Sequence, residues 1–119
     1  MAKTVEIDPD ELIDFNVVPH TPCFFIVRSW LKPPGATLWN KLPDLESPDG
    51  EPVHRQLNGV VKGTDFDFWI GVGGKPRAPF RLTATVAQGG RVLPNGSILC
   101  EGVLSAEGAG MDEEEFDFV

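Results

Sequence analysis

Proline and glycine punctuate this chain so densely that no apolar run reaches helical length before one of them interrupts it. Proline inside a helix removes a backbone hydrogen bond and clashes with the preceding turn, while glycine there loses the most chain entropy. A chain written this way must build its core from short extended pieces. The apolar residues agree, because they recur with period two and so share one face of a strand. In "PFRLTATVAQ", Phe80, Leu82, Ala84 and Val86 lie opposite Arg81, Thr83, Thr85 and Ala87. In "DFDFWIGV", Phe66, Phe68, Ile70 and Val72 oppose Asp65, Asp67, Trp69 and Gly71. "LIDFNVV" supplies Ile13, Phe15 and Val17; "PVHRQLNGVVKG" supplies Val53, Leu57 and Val61; "SILCEGVLSA" supplies Ile98, Cys100 and Leu104.

"CFFIVRSWL" is apolar on both faces, which predicts a central strand covered on both sides. Asn95-Gly96 between apolar flanks predicts a two-residue hairpin turn with positive φ at both positions, and Gly89-Gly90 marks another turn just before it. The nearest approach to a helix, "PDELIDF", is too short to stand alone. The expected fold is all-β: an antiparallel β-sandwich, immunoglobulin-like or jelly-roll-like, of about seven to eight short strands, with a small β-barrel as the alternative. Residues 1–119 read as a single β domain with a long Pro-rich loop at 32–52 and acidic termini. A loop of that length is usually functional or hides a short element.

The formal net charge of -8 is unevenly placed. Acids crowd residues 6–14 and 112–117, whereas residues 15–111 hold eight acids against nine bases. A nucleic-acid surface needs a basic face, so nucleic acid is a disfavoured partner. No stretch has the length of a membrane span, and "MAKTVEIDPDE" has no apolar core of a secretion signal, which predicts a cytoplasmic protein.

The closing "DEEEFDFV" repeats the alternation of the central "TDFDFW", with Phe116 and Phe118 on one face and Glu115 and Asp117 on the other. The phase favours a docked strand whose acids keep an edge soluble. In chemistry these closing residues also resemble the acidic, aromatic-ended tails of single-stranded-DNA-binding proteins. They lack the Pro-Phe ending of the bacterial pattern. That resemblance implies a bait for another protein, with Phe116 and Phe118 as its contacts.

The sites of chemistry are sparse. Cys23 and Cys100 with Trp residues between them are similar to the immunoglobulin pattern of a disulfide over a Trp. Ile98, however, stands where that family has Tyr, and two free thiols packed against apolar neighbours are expected. "HTPC" gives His20 and Cys23 ligand-like spacing, but His54 and Cys100 are isolated, so no metal is expected. "SPDGEP" lacks calcium-loop spacing, "GVGGKPRAP" lacks P-loop spacing, and no Ser or Cys stands in a nucleophile motif. Asp65 and Asp67 are two apart on one strand face, a spacing compatible with acid–base work but typical of a solvated face. The sequence therefore predicts no cofactor and no enzyme.

The remaining cluster is aromatic and basic: Trp30, Trp39 and Trp69 with Arg28, Lys32, Lys41, Arg55 and Arg81. Exposed indoles beside polar groups serve protein contact, base stacking or sugar stacking. The expectation is a non-enzymatic domain that binds a partner protein or self-associates into a homo-oligomer through an aromatic sheet face. Its candidate binding residues are Trp30, Trp39, Trp69, Arg28, Lys41, Arg55, Phe116 and Phe118. A single-stranded nucleic-acid-binding barrel and a carbohydrate-binding module are the alternatives.

Overall fold

The computed structural model describes residues 2–119. It is an all-β sandwich of two sheets without helices. The strands are β1 (Lys3–Val5), β2 (Ile13–Pro19), β3 (Phe24–Lys32), β4 (Asn40–Lys41), β5 (Leu45–Ser47), β6 (Val53–Leu57), β7 (Asp65–Gly73), β8 (Pro79–Gln88), β9 (Arg91–Val103) and β10 (Ala109–Phe118). The first sheet runs β1-β10-β7-β3-β4, with β5 also paired to β3; the second runs β6-β2-β8-β9. All pairings are antiparallel except β1 on β10, which is parallel. Among the described residues no helix is long and apolar enough to cross a membrane.

The alternation read in the sequence sets the inward phase of each long strand. Ile13, Phe15 and Val17 of β2, Phe66, Phe68 and Ile70 of β7, and Leu82, Ala84 and Val86 of β8 are all buried. Five phenylalanines form the centre. Phe15 meets Phe66 edge-on at 4.8 Å between centroids. Phe66 stacks on Phe118 at 6.3 Å and Phe68 on Phe116 at 5.8 Å. Offset and edge-on pairs at such distances add to the area each ring removes from water.

Phe116 and Phe118 are thus fully enclosed. β10 is an interior strand, flanked by β7 and by β1, and not the edge that its acids suggest. Its end is tied down by backbone bonds: Val119 N–H to the Val5 carbonyl at 2.9 Å, Ile7 N–H to the Val119 carbonyl at 3.0 Å, and Phe118 N–H to the Thr64 carbonyl at 2.9 Å. The bait reading of the tail needs these rings free, and they are not.

Three further expectations are corrected. Asn95-Gly96 is not a hairpin turn. That turn is Gly89-Gly90, with φ of +59° and +78°, as a tight two-residue connection requires. Asn95, at φ +61°, lies inside β9, where Val86 faces the extra residues Leu93–Gly96 in a bulge. Gly96 is needed there because a Cβ would stand 2.7 Å from the Leu93 carbonyl oxygen and 2.8 Å from that of Val86. Val61 does not join a strand; it is exposed after β6 has ended. β3 is central in its sheet, but its second face, with Phe24 54% exposed, carries no covering layer. The segment 32–52 does hide short elements: it contains β4 and β5, which extend the first sheet beyond β3.

The crossing from β1 to β2 passes between the sheets and depends on one buried amide. Gln88 is 3% exposed, accepts from the Asp8 N–H at 2.9 Å, and donates to the carbonyls of Asp8 at 2.7 Å and Glu11 at 3.0 Å. Its polar atoms are satisfied, so the burial costs little.

Two outcomes test this packing. Phe118→Ala is expected to lower unfolding stability by about 3–5 kcal/mol in a urea titration, since it deletes a ring from the central stack. Gly96→Val is expected to lower the midpoint by an amount worth about 1–3 kcal/mol, through the two carbonyl overlaps. An unchanged midpoint for either variant contradicts the arrangement.

Candidate functional site

The outward phase of the first sheet gathers the residues that the sequence singled out. Register places Arg28 beside Trp69 and Trp69 beside Glu113. The next row is Trp30, Asp67 and Glu115; the one after it is Lys32, Asp65 and Asp117. In the other direction come Ile26, Gly71 and Met111, then Phe24, Gly73 and Ala109. One face therefore has an apolar end and an acidic, indole-bearing end.

The apolar end is a groove of about 860 Å³ whose lining includes Phe24, Ile26, Trp69 and Met111. Glycine shapes it. A Cβ at Gly71 would overlap the Trp69 ring, and a Cβ at Gly73 would overlap the Phe24 ring. Both rings thus occupy the space that a side chain at these positions would take, and both line the groove. Met111 is 59% exposed. Glu46 and Glu107 stand among the lining residues as its acids.

At the other end each indole has a cation. Arg28 lies over Trp69 at 5.1 Å, Lys32 over Trp39 at 5.3 Å and Lys41 over Trp30 at 6.0 Å. The ring quadrupole attracts each, which makes these faces cation acceptors. The basic groups are also fixed by Asp44, which takes Lys41 Nζ at 2.6 Å and Arg28 Nε at 3.8 Å. The hydrogen bond from Lys41 holds the Asp44 carboxyl below the usual carboxylate range. Trp30, Trp39, Trp69, Arg28 and Lys41 are therefore brought together. Arg55 is not on this face: it sits on β6 of the second sheet and donates to the Pro43 carbonyl at 2.6 Å, bracing the loop that carries Asp44. Phe116 and Phe118, the other two candidates, are core residues with no surface to offer a partner.

The acids of this face crowd one another. Partial burial, then the nearby charge of Glu113 and a hydrogen bond with it, push the Asp67 carboxyl up to about 6. Partial burial and Asp117 push Glu115 up to about 7, with Asp65 and Asp67 adding to the repulsion. Asp65 is raised by burial and by its hydrogen bond with Asp117, against Lys32, which lowers it. The sequence named Asp65 and Asp67 as a pair but gave no sign that Glu113, Glu115 and Asp117 would join them, since that needs the β7–β10 register. Phe24, Ile26 and Met111 were also missed as a groove. The available signal was Gly71 and Gly73 in phase with Trp69.

The other candidate sites are dispersed. His20 Nε2 lies 2.6 Å from Thr83 Oγ1, and His54 Nε2 lies 3.1 Å from Asp14 Oδ1. Both cysteines are free thiols. Cys100 is buried in β9, where burial pushes its thiol up; Cys23 lies half-buried just before β3. Among the described residues no group of three or more His, Cys, Asp or Glu side chains is placed to hold a metal ion. Comparison with protein-family models, with curated proteins and with solved structures finds no match to this chain.

The raised carboxyls make a pH prediction. Asp67 and Glu115 bind protons more tightly folded than unfolded, so the folded state holds the larger number of protons between about pH 4 and 7. Stability is expected to fall as pH rises through that window, as far as these groups govern it. Asp67→Asn should flatten the decline and raise the melting temperature at pH 8. A steeper decline in that variant contradicts the assignment.

Proposed function

We propose that this chain is a non-enzymatic interaction domain that binds a partner protein through the open face of its first sheet. The observation that supports it is the apolar groove. Phe24, Ile26, Trp69 and Met111 form a continuous surface on a sheet face that no other part of the described chain covers. Contiguous exposed apolar surface rimmed by polar groups is characteristic of interaction sites, and aromatic residues and Met are enriched there. The charge pattern favours a partner other than a second copy. A copy would bring Glu46, Glu107 and Glu113 against the same acids, and like charges across an interface oppose docking. A segment with apolar side chains and basic neighbours fits both parts of the face. Five acids on β7 and β10 of this face oppose a phosphate backbone, which weakens the nucleic-acid alternative.

The test is selection from a random-peptide phage library on the immobilised protein, followed by titration of the enriched peptide. Binding to wild type is expected, with roughly tenfold or greater loss for Met111→Asp and no change for Leu99→Asp on the second sheet. Failure to enrich any peptide, or equal loss in both variants, overturns the reading. Sedimentation equilibrium is expected to show a monomer; a tight dimer abolished by Met111→Asp would transfer the groove to self-association.

A further inference from the structure

At the acidic end of the same face, Trp30, Trp39, Asp67 and Glu113 line a separate pocket of about 220 Å³. That is below the roughly 300–1,000 Å³ of sites for drug-sized molecules, so it suits a head group rather than a whole ligand. Its walls are of two kinds only. Two indoles supply negative ring faces, and two carboxylates supply formal negative charge. An anion is repelled by every wall. A neutral sugar would find acceptors but few donors, since the indole N–H groups are the only donors those four side chains carry when the acids are ionised.

Two observations favour a cation as the complement of this pocket. The indoles already accept cations: Lys32 stands over Trp39 and Lys41 over Trp30, yet neither lysine is among the residues lining the pocket. Among the described residues neither carboxylate is in an ion pair, although Glu113 also shares a neighbouring hollow with Arg28 and Lys41. The ion pairs of this face go to Asp44, and no Lys or Arg among the described residues pairs with Asp67. Asp67 and Glu113 instead stand one register row apart on neighbouring strands, with their like charges lining the same pocket. A bound cation would relieve that repulsion.

We propose that the Trp30–Trp39–Asp67–Glu113 pocket binds an alkylated ammonium group, by cation–π contact with the indoles and charge pairing with the carboxylates. The inference rests on the reading of this sheet face as a binding surface, but not on the apolar groove. A bulky, weakly hydrated ammonium suits it better than a bare inorganic cation, because methyl groups fill the space between rings at little desolvation cost. The group can be carried by a small molecule or by a methylated lysine of a peptide.

The experiment is titration of the folded full chain with choline, monitored by tryptophan fluorescence, alongside 3,3-dimethylbutan-1-ol, its neutral isostere. Choline is expected to give saturable quenching and the alcohol to bind roughly tenfold or more weakly. Trp39→Ala removes an exposed loop side chain and Asp67→Asn is isosteric, so both variants should fold; each is expected to weaken choline roughly tenfold. Acetylated trimethyllysine amide in a second series separates the sources: tighter binding than choline points to a modified peptide, weaker binding to a small molecule. Met111→Asp, expected to weaken groove peptides roughly tenfold or more, lies outside the lining of this pocket and is expected to leave the choline curve unchanged, so the two readings fail separately. Equal binding of the neutral alcohol, a curve unmoved by Trp39→Ala and Asp67→Asn, or no saturation by about 100 mM choline overturns the proposal.

Discussion

The stack of phenyl rings contributed by β2, β7 and β10 fixes everything outside it. Once Phe66, Phe68, Phe116 and Phe118 are inside, the pleat leaves the intervening residues only one direction to point. Asp65, Asp67, Trp69, Glu113, Glu115 and Asp117 are therefore placed on one outer face by the demands of the core. A slip of one residue between β7 and β10 would drive carboxylates into the ring stack. The partial burial and crowding that raise Asp67 and Glu115 are thus a cost imposed by packing and tolerated because the alternative register is far worse.

The inward faces were legible because period two needs no knowledge of neighbours. Phe80 to Val86, Phe66 to Val72 and Ile13 to Val17 could be assigned from their own strands. Partnership could not. Nothing local says that β10 lies between β7 and β1, because a parallel pairing of Lys3 with Phe116 joins residues from distant parts of the chain. The same gap hid the site. Asp67 and Glu113 meet only through the β7–β10 register, and Trp39 reaches Trp30 only because the segment after β3 turns back as β4. Asn95-Gly96 misled for a different reason. Its composition suits a tight turn, and one of its residues does take positive φ, but the adjacent Gly89-Gly90 closes the hairpin first and leaves the later pair to form a bulge.

The proposed binding face would combine two recognition chemistries on one support. Phe24 and Trp69 rest over glycines, while Arg28, Lys32 and Lys41 stand over indoles and Arg28 and Lys41 also meet Asp44. A partner docking here would need little rearrangement of these side chains, and preorganisation of this kind removes part of the entropic cost of association. The acids also change meaning. By composition they belong to an acidic tail, whereas in space they are half of a patterned surface whose other half is apolar.

The parallel contact of β1 with β10 carries a kinetic consequence. Among the described residues, the β8–β9 hairpin is the long pairing formed between consecutive strands, and most of the remaining ladder joins segments far apart in the chain. Loop closure must precede such pairings, so acquisition of the native topology is slow relative to a helical domain of equal size. Without β10 in place, the edge of β7 would be an unpaired aromatic strand open to other chains. The segment destined to cover it carries Glu113, Glu114, Glu115 and Asp117, and their mutual repulsion discourages that segment from assembling with its own copies. The strand that covers β7 thus carries its own charged protection against pairing with copies of itself.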